Sequence, residues 1–201
     1  MHREDFELLK QNIIYFDNGA TSLKPKILSE AISDYYNNYS ANAHRGDYDL
    51  SIKVDTLFEE TRYLTANLIN ANACEIAFTN NTTDSINKIV FGYFKNILNA
   101  GDEILLTKSE HASNILPWFK LAKELNLKIK YIELDNYHRL SIDNLNKAIT
   151  DKTKVISIAQ VTNVIGDIRP IKEITSIAHE KGIYVLVDGA QSVAHMQIDV
   201  K

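Results

Sequence analysis

Four short polar stretches hold most of the residues that could do chemistry: "NNTTDS" from Asn80, "KSEHASN" from Lys108, "QVTNVIG" from Gln160 and "DGAQS" from Asp188. In the first, Asn81, Thr82 and Thr83 open a helical pattern. Free N–H groups and the positive end of a helix dipole suit a phosphate there, and hydroxyls add hydrogen bonds. The same residues also suit simple N-capping. In the second, His111 offers an imidazole that could stack on a flat heteroaromatic ring or move protons near neutral pH, or simply face solvent in a loop. Asn163 could donate an amide N–H to a ligand oxygen, or serve a turn with Gly166. Asp188 ends an apolar run, "YVLV". A carboxylate there could keep a ligand ring nitrogen protonated, or mark an Asp-Gly turn and cap a helix.

Alternating elements must position these groups. Strands are expected at Glu75–Thr79, Glu103–Thr107, Lys128–Leu134, Lys154–Ala159 and Ile183–Val187. Helices are expected at about 26–39, 48–69, 83–95, 116–125, 141–149 and 171–181. The 48–69 segment places Leu50, Val54, Leu57, Leu64 and Leu68 roughly on one face. Pro25 and Pro170 stand just ahead of helical patterns, where proline is tolerated. Buried strands alternating with amphipathic helices predict an α/β fold, a mostly parallel sheet with helices on both faces. In such a sheet ligands bind beyond the carboxyl ends of the strands, where all four polar stretches fall.

Composition narrows the classes. The chain has 201 residues, 45% hydrophobic and 24% charged, which is ordinary for a globular domain. A net charge of −4 argues against nucleic acid as a partner. No apolar run approaches a membrane span, and the acidic start "MHREDFELLK" has no signal-peptide core, so a cytoplasmic location is expected. The single cysteine, Cys74, can form neither an intrachain disulfide nor a multi-thiolate metal site. It is expected to be a small buried hydrophobe, and no metal is expected. Neither G-x-G-x-x-G nor G-x-x-x-x-G-K-[ST] occurs, which disfavours a nucleotide-binding domain.

Phosphate cradle, stacking ring, amide donors and a pyridinium partner together describe a pocket for pyridoxal 5′-phosphate (PLP). The stretches "YFDNGATSLKP", "NAHRGDYDLS", "NNTTDSIN", "GDEILLTKSEHASNILPW", "QVTNVIGDIRPI" and "VLVDGAQSVAHM" span nearly the whole chain. In that order they resemble the SUF-type (group II) cysteine desulfurases, class V aminotransferase-fold PLP enzymes of fold type I. The resemblance implies that Thr82 and Thr83 contact the cofactor phosphate, and that His111 stacks on the ring and assists proton transfer. It further implies that Asn163 and Gln191 bond the ring hydroxyl oxygen, that Asp188 pairs with the pyridine nitrogen, and that His44 and Arg45 line the substrate side near a homodimer interface.

The implied reaction converts L-cysteine to L-alanine and an enzyme persulfide, whose sulfur passes to an acceptor protein for iron–sulfur cluster assembly. Residues 1–45 would join the small domain and dimer interface, and 46–201 would form an incomplete PLP-binding large domain. The family's Schiff-base lysine and catalytic cysteine come later than Lys201, so the chain reads as a truncated N-terminal part, inactive by itself. Two further strands of the family lie next to Glu75–Thr79, which would here lack neighbours. The sequence departs from the family pattern at Asn81, usually glycine, and also at Gly19 and Ala112. The alternatives are a selenocysteine lyase or kynureninase-like relative, or a non-catalytic fragment that binds a partner.

Overall fold

The computed structural model describes residues 2–201, in two compact units: the residues up to Ala77 together with Gln197–Lys201, and Phe78–Met196. The first unit is helical. Helix α1, Lys26–Asp34, starts behind Pro25 and runs into a single π turn at Tyr35–Tyr39. Helix α2, Asp49–Leu68, ends in a Schellman motif: Asn70 adopts the left-handed conformation, and Ala71 N–H reaches the Ala66 carbonyl at 2.8 Å. Only Ser51 and Ala66 of α2 are buried, and the expected stripe of leucines (Leu50, Leu57, Leu64, Leu68) is exposed.

The second unit holds the sheet. Its elements are α3 (Thr82–Gly92), β1 (Glu103–Leu106), α4 (Ala112–Leu125), β2 (Lys128–Tyr131), α5 (Ile142–Ala148), β3 (Thr153–Ala159), α6 (Ile171–Glu180) and β4 (Tyr184–Asp188). The strands are parallel throughout and ordered β2-β1-β3-β4. Alternation sorts the core. Ile104 and Leu106 of β1, with Val155 of β3, pack against Ile86 and Val90 of α3 and Trp118 and Leu121 of α4. On the other face Leu105, Ile156 and Ile158 meet Leu145 of α5 and Ile174 and Ala178 of α6. Period-2 alternation on strands buried on both sides makes the helix-sheet-helix layering expected from the sequence.

Two expectations are corrected. Glu75–Thr79 is not a strand: a 3-10 turn spans Ala73–Glu75, and the extended residues after it pair with no strand among the described residues. β-branched and aromatic residues favour an extended backbone, but a strand needs a neighbour to bond. Cys74 is exposed rather than buried, because it lies in that turn. Among the described residues no helix is long and apolar enough to cross a membrane.

Candidate functional site

Strand order explains where a ligand could sit. From β1 the chain moves outward to β2, then crosses back to β3 on the far side of β1. That reversal splits the loops after β1 and β3, and open parallel sheets bind ligands at this switch point. A cleft of about 380 Å³ lies there, lined by Lys108, Ser109, Glu110, His111 and Ala112 after β1 and by Thr162, Asn163, Val164 and Ile165 after β3, with His138.

His111 is the N-cap of α4. Its Nδ1 accepts the Ser113 backbone N–H at 3.2 Å, which leaves Nε2 to carry the proton of the neutral ring. The imidazole is exposed, so its face is open to a ligand. Ser113 Oγ lies 3.0 Å from His111 Nδ1 and 2.7 Å from Thr83 Oγ1. One hydroxyl therefore joins the start of α4 to the start of α3. Thr83, Ser113 and Ala112 line a second cleft of about 300 Å³ with Asn87, Leu116, Pro117 and Lys120.

At the start of α3, Asn81 accepts the Asp84 N–H at 2.9 Å through its side chain. Helix geometry leaves the N–H groups of Thr82 and Thr83 without intrahelical acceptors. Asn81 has a fully extended backbone (φ −174°), not a left-handed one, so asparagine replaces glycine without strain and acts as a cap. Asp84 accepts hydrogen bonds from Lys88 and then from the Asn80 N–H, which hold its carboxyl below the usual carboxylate range.

Asn163 sits in a tight loop. Val161 and Ile168 form an antiparallel bridge, Gly166 N–H reaches the Thr162 carbonyl at 3.0 Å, and Asp167 N–H reaches Thr162 Oγ1 at 2.9 Å. Gly166 has φ +69°, a region that favours glycine. Asp188 ends β4 at the level of Ala159 and is buried. Its Oδ1 accepts the Ala190 N–H at 3.0 Å, and no cation pairs with it among the described residues. Gln191 is half-buried in the turn that follows.

The structure thus brings His111 and Asn163 into one cleft and ties Thr83 to His111 through Ser113. Asp188 and Gln191 stand at the neighbouring strand end, outside that lining. His44 and Arg45 belong to the other unit. There His44 has φ +59°, its N–H donates to Asp55 at 2.5 Å, and its ring meets Phe58 edge-on at 5.2 Å. Arg45 is exposed on the same turn, and a Cβ on Gly46 would come within 2.8 Å of Ser51.

Sequence reasoning missed the layer beneath the cleft. Arg169 and Glu110 form an ion pair with both side chains fully buried. Arg169 also donates to Thr107 at 2.9 Å and Ser109 at 2.7 Å. Asn114 donates to Glu110 at 2.9 Å and accepts from Ser157 at 2.6 Å. The available signal was the charged "DIRP" directly after Gly166, which reads equally well as solvated.

A parallel sheet covered on both faces, with polar loops gathered at a switch point, defines a doubly covered α/β protein. The chain belongs to the aminotransferase class-V family, whose family model matches residues 14–201. It is 43% identical over 193 residues to a probable cysteine desulfurase of Pyrococcus abyssi, covering 96% of this chain and 48% of that relative. A solved apo cysteine desulfurase from Thermococcus onnurineus NA1 superposes with a TM-score of 0.93 at 40% identity, over 98% of this chain and 49% of that one. A mutant C-DES protein, solved with glycine covalently linked to its PLP cofactor, gives 0.85 at 25% identity over 99% of this chain and 52% of that one. The chain spans about half the length of the curated relatives it matches.

Proposed function

We propose that this chain carries the cofactor-binding part of a PLP-dependent cysteine desulfurase of the SUF type. The proposed activity takes sulfur from L-cysteine, leaves L-alanine, and passes the sulfur to an acceptor protein for iron–sulfur cluster assembly. A cytoplasmic homodimer is part of the proposal, as is a division in which residues 1–45 join the small-domain and dimer side. The observation that carries the reading is Asp188: a buried carboxylate at a strand end that accepts one backbone N–H and pairs with no cation among the described residues. A protonated ring nitrogen completes such a site, since a buried charge without a partner is costly.

When bound, PLP supplies an electron sink for charge developing at the substrate's α-carbon. The residues of this chain would do the rest. Asp188 would hold the proton on the ring nitrogen. Thr82 and Thr83 would bind the phosphate with hydroxyls and N–H groups, where the helix dipole favours an anion. Asn163 and Gln191 would donate to the ring oxygen. His111 would cover one ring face and move protons on its exposed side, its tautomer set by Ser113. His44 and Arg45 would serve the substrate's side.

Asp188→Ala in the full gene product is expected to retain PLP but lose about 100-fold in turnover, on the order of 3 kcal/mol for a desolvated charge-assisted contact. Steady-state alanine production from L-cysteine measures this. Turnover within twofold of wild type would remove Asp188 from the mechanism.

A further inference from the structure

We infer that the buried Glu110–Arg169 pair is a positioning device that couples the loop presenting His111 to the loop presenting Asn163. The inference rests on the functional reading above only for the identity of the ligand. Glu110 directly precedes His111, and both its carboxylate oxygens are committed. Oε1 takes Arg169 and the Thr107 hydroxyl, the latter at 2.7 Å. Oε2 takes the Asn114 amide at 2.9 Å and the Ala159 N–H at 2.7 Å. Glu110 therefore joins the end of β1, the first turn of α4 and the end of β3.

Arg169 makes the reciprocal connection. Its backbone N–H donates to the Gln160 carbonyl at 2.9 Å, closing the loop that has Asn163 near its tip. Its side chain returns to the β1 loop through Glu110, Thr107 and Ser109, and Nη1 also reaches the Ala159 carbonyl at 3.3 Å. No rotation of either loop leaves this set intact unless the other follows.

Stability alone is a poor account of the arrangement, because apolar residues of similar volume commonly serve as well as a buried ion pair. Apart from the buried Asn114 amide of α4, the partners are loop hydroxyls and strand-end backbone groups. A planar guanidinium can serve two loops at once, whereas an ammonium concentrates its donors at one point. The pair is thus suited to holding His111 and Asn163 at a set separation across the cleft before a ligand arrives.

Arg169→Lys and Glu110→Gln test this in the full gene product, with Ile174→Val as a core control in the same unit. Two readouts are needed: the side-chain NMR signals of His111 and Asn163 in PLP-free protein, and PLP affinity by titration. Both site variants are expected to shift and broaden the His111 and Asn163 signals together and to weaken PLP binding about tenfold. Ile174→Val should lower the melting temperature and change neither readout. If Arg169→Lys does not fold, Glu110→Gln decides alone. A lower melting temperature with unchanged His111 and Asn163 signals would overturn the inference, and so would a response of His111 without Asn163. Should wild type bind no PLP, the functional reading falls while the NMR measurement still decides the coupling.

Discussion

The two units of this chain bury their apolar residues to very different degrees. In Phe78–Met196, β1, β3 and the inner faces of four helices contribute to two clusters of buried residues. In the first unit α1 buries nothing and α2 buries one serine and one alanine. Ile14, Phe16, Ile27, Tyr63 and Leu64 are between 61% and 93% exposed. The difference follows from topology. Each crossover helix of the second unit returns to a sheet that its neighbouring strands have already formed. A lone pair of helices without a sheet has far less surface to cover. Apolar burial of the usual strength therefore holds one unit together and leaves much of the other's apolar surface in water.

Substitutions can break or sharpen this contrast. The largest effect is expected in the second unit's core. Trp118 is fully buried against Phe94, with ring centroids 5.2 Å apart. Trp118→Ala should cost about 3–5 kcal/mol, read from denaturant unfolding. A cost below about 1 kcal/mol would mean the core is loosely packed.

Next comes Gly46→Ala in the first unit. Its new methyl would meet the buried Ser51 at 2.8 Å, a clash that should cost about 1–3 kcal/mol by the scale of overpacking. It should also displace the His44–Arg45 turn, visible as a changed His44 ring signal. An unchanged melting curve and signal would show that the turn yields freely.

A smaller effect, of about 0.5–1.5 kcal/mol for the net worth of a hydrogen bond, is expected from Glu103→Gln. Burial pushes the Glu103 carboxyl up, but the Thr150 hydroxyl at 2.6 Å and the Lys130 ammonium at 3.0 Å outweigh it, and the group titrates below its usual 4.5. A depressed carboxyl stabilises the fold above the unfolded value and loses that contribution as pH falls through the folded one. Wild type should thus melt above Glu103→Gln at pH 7, and the two should converge below pH 4.5. A difference constant across pH would assign the effect to packing.

The smallest effect belongs to Leu64→Ser on the exposed face of α2, within about 0.5 kcal/mol. A cost above 1 kcal/mol would show that this face is covered in solution, and would erase the contrast between the units.

Much of the second unit was legible in the sequence because its signals are local. β4 is an apolar run up to Asp188, β3 is apolar apart from Thr153, Lys154 and Ser157, and the polar stretches after β1, β3 and β4 stand in the chain next to the strands that aim them. Caps were equally readable: Pro25, Asn81 and Pro170 each open a helix. Illegible features depend on partners distant in sequence. "EIAFT" has strand composition, but pairing is a property of its neighbours. The leucines of α2 have helical spacing, yet spacing cannot say what they meet. Glu110 and Arg169 are 59 residues apart, and each alone reads as a solvated loop charge. Of the site, residue types and strand ends could be read, whereas the Ser113 bridge and the buried pair emerge only when β1 and β3 lie side by side.

The position of β4 has a consequence for exchange with solvent protons. It bonds β3 on one side, and no strand pairs along its other side among the described residues. Asp188 receives the Gln160 N–H, so Asp188 and Leu186 direct their backbone groups toward β3, while Val185 and Val187 direct theirs outward. In deuterium oxide the strand should behave as two interleaved populations, slow at 186 and 188 and fast at 185 and 187. The outward pair forms a built-in reporter: slowing confined to those two amides would register another strand joining this edge, without any label attached to the protein.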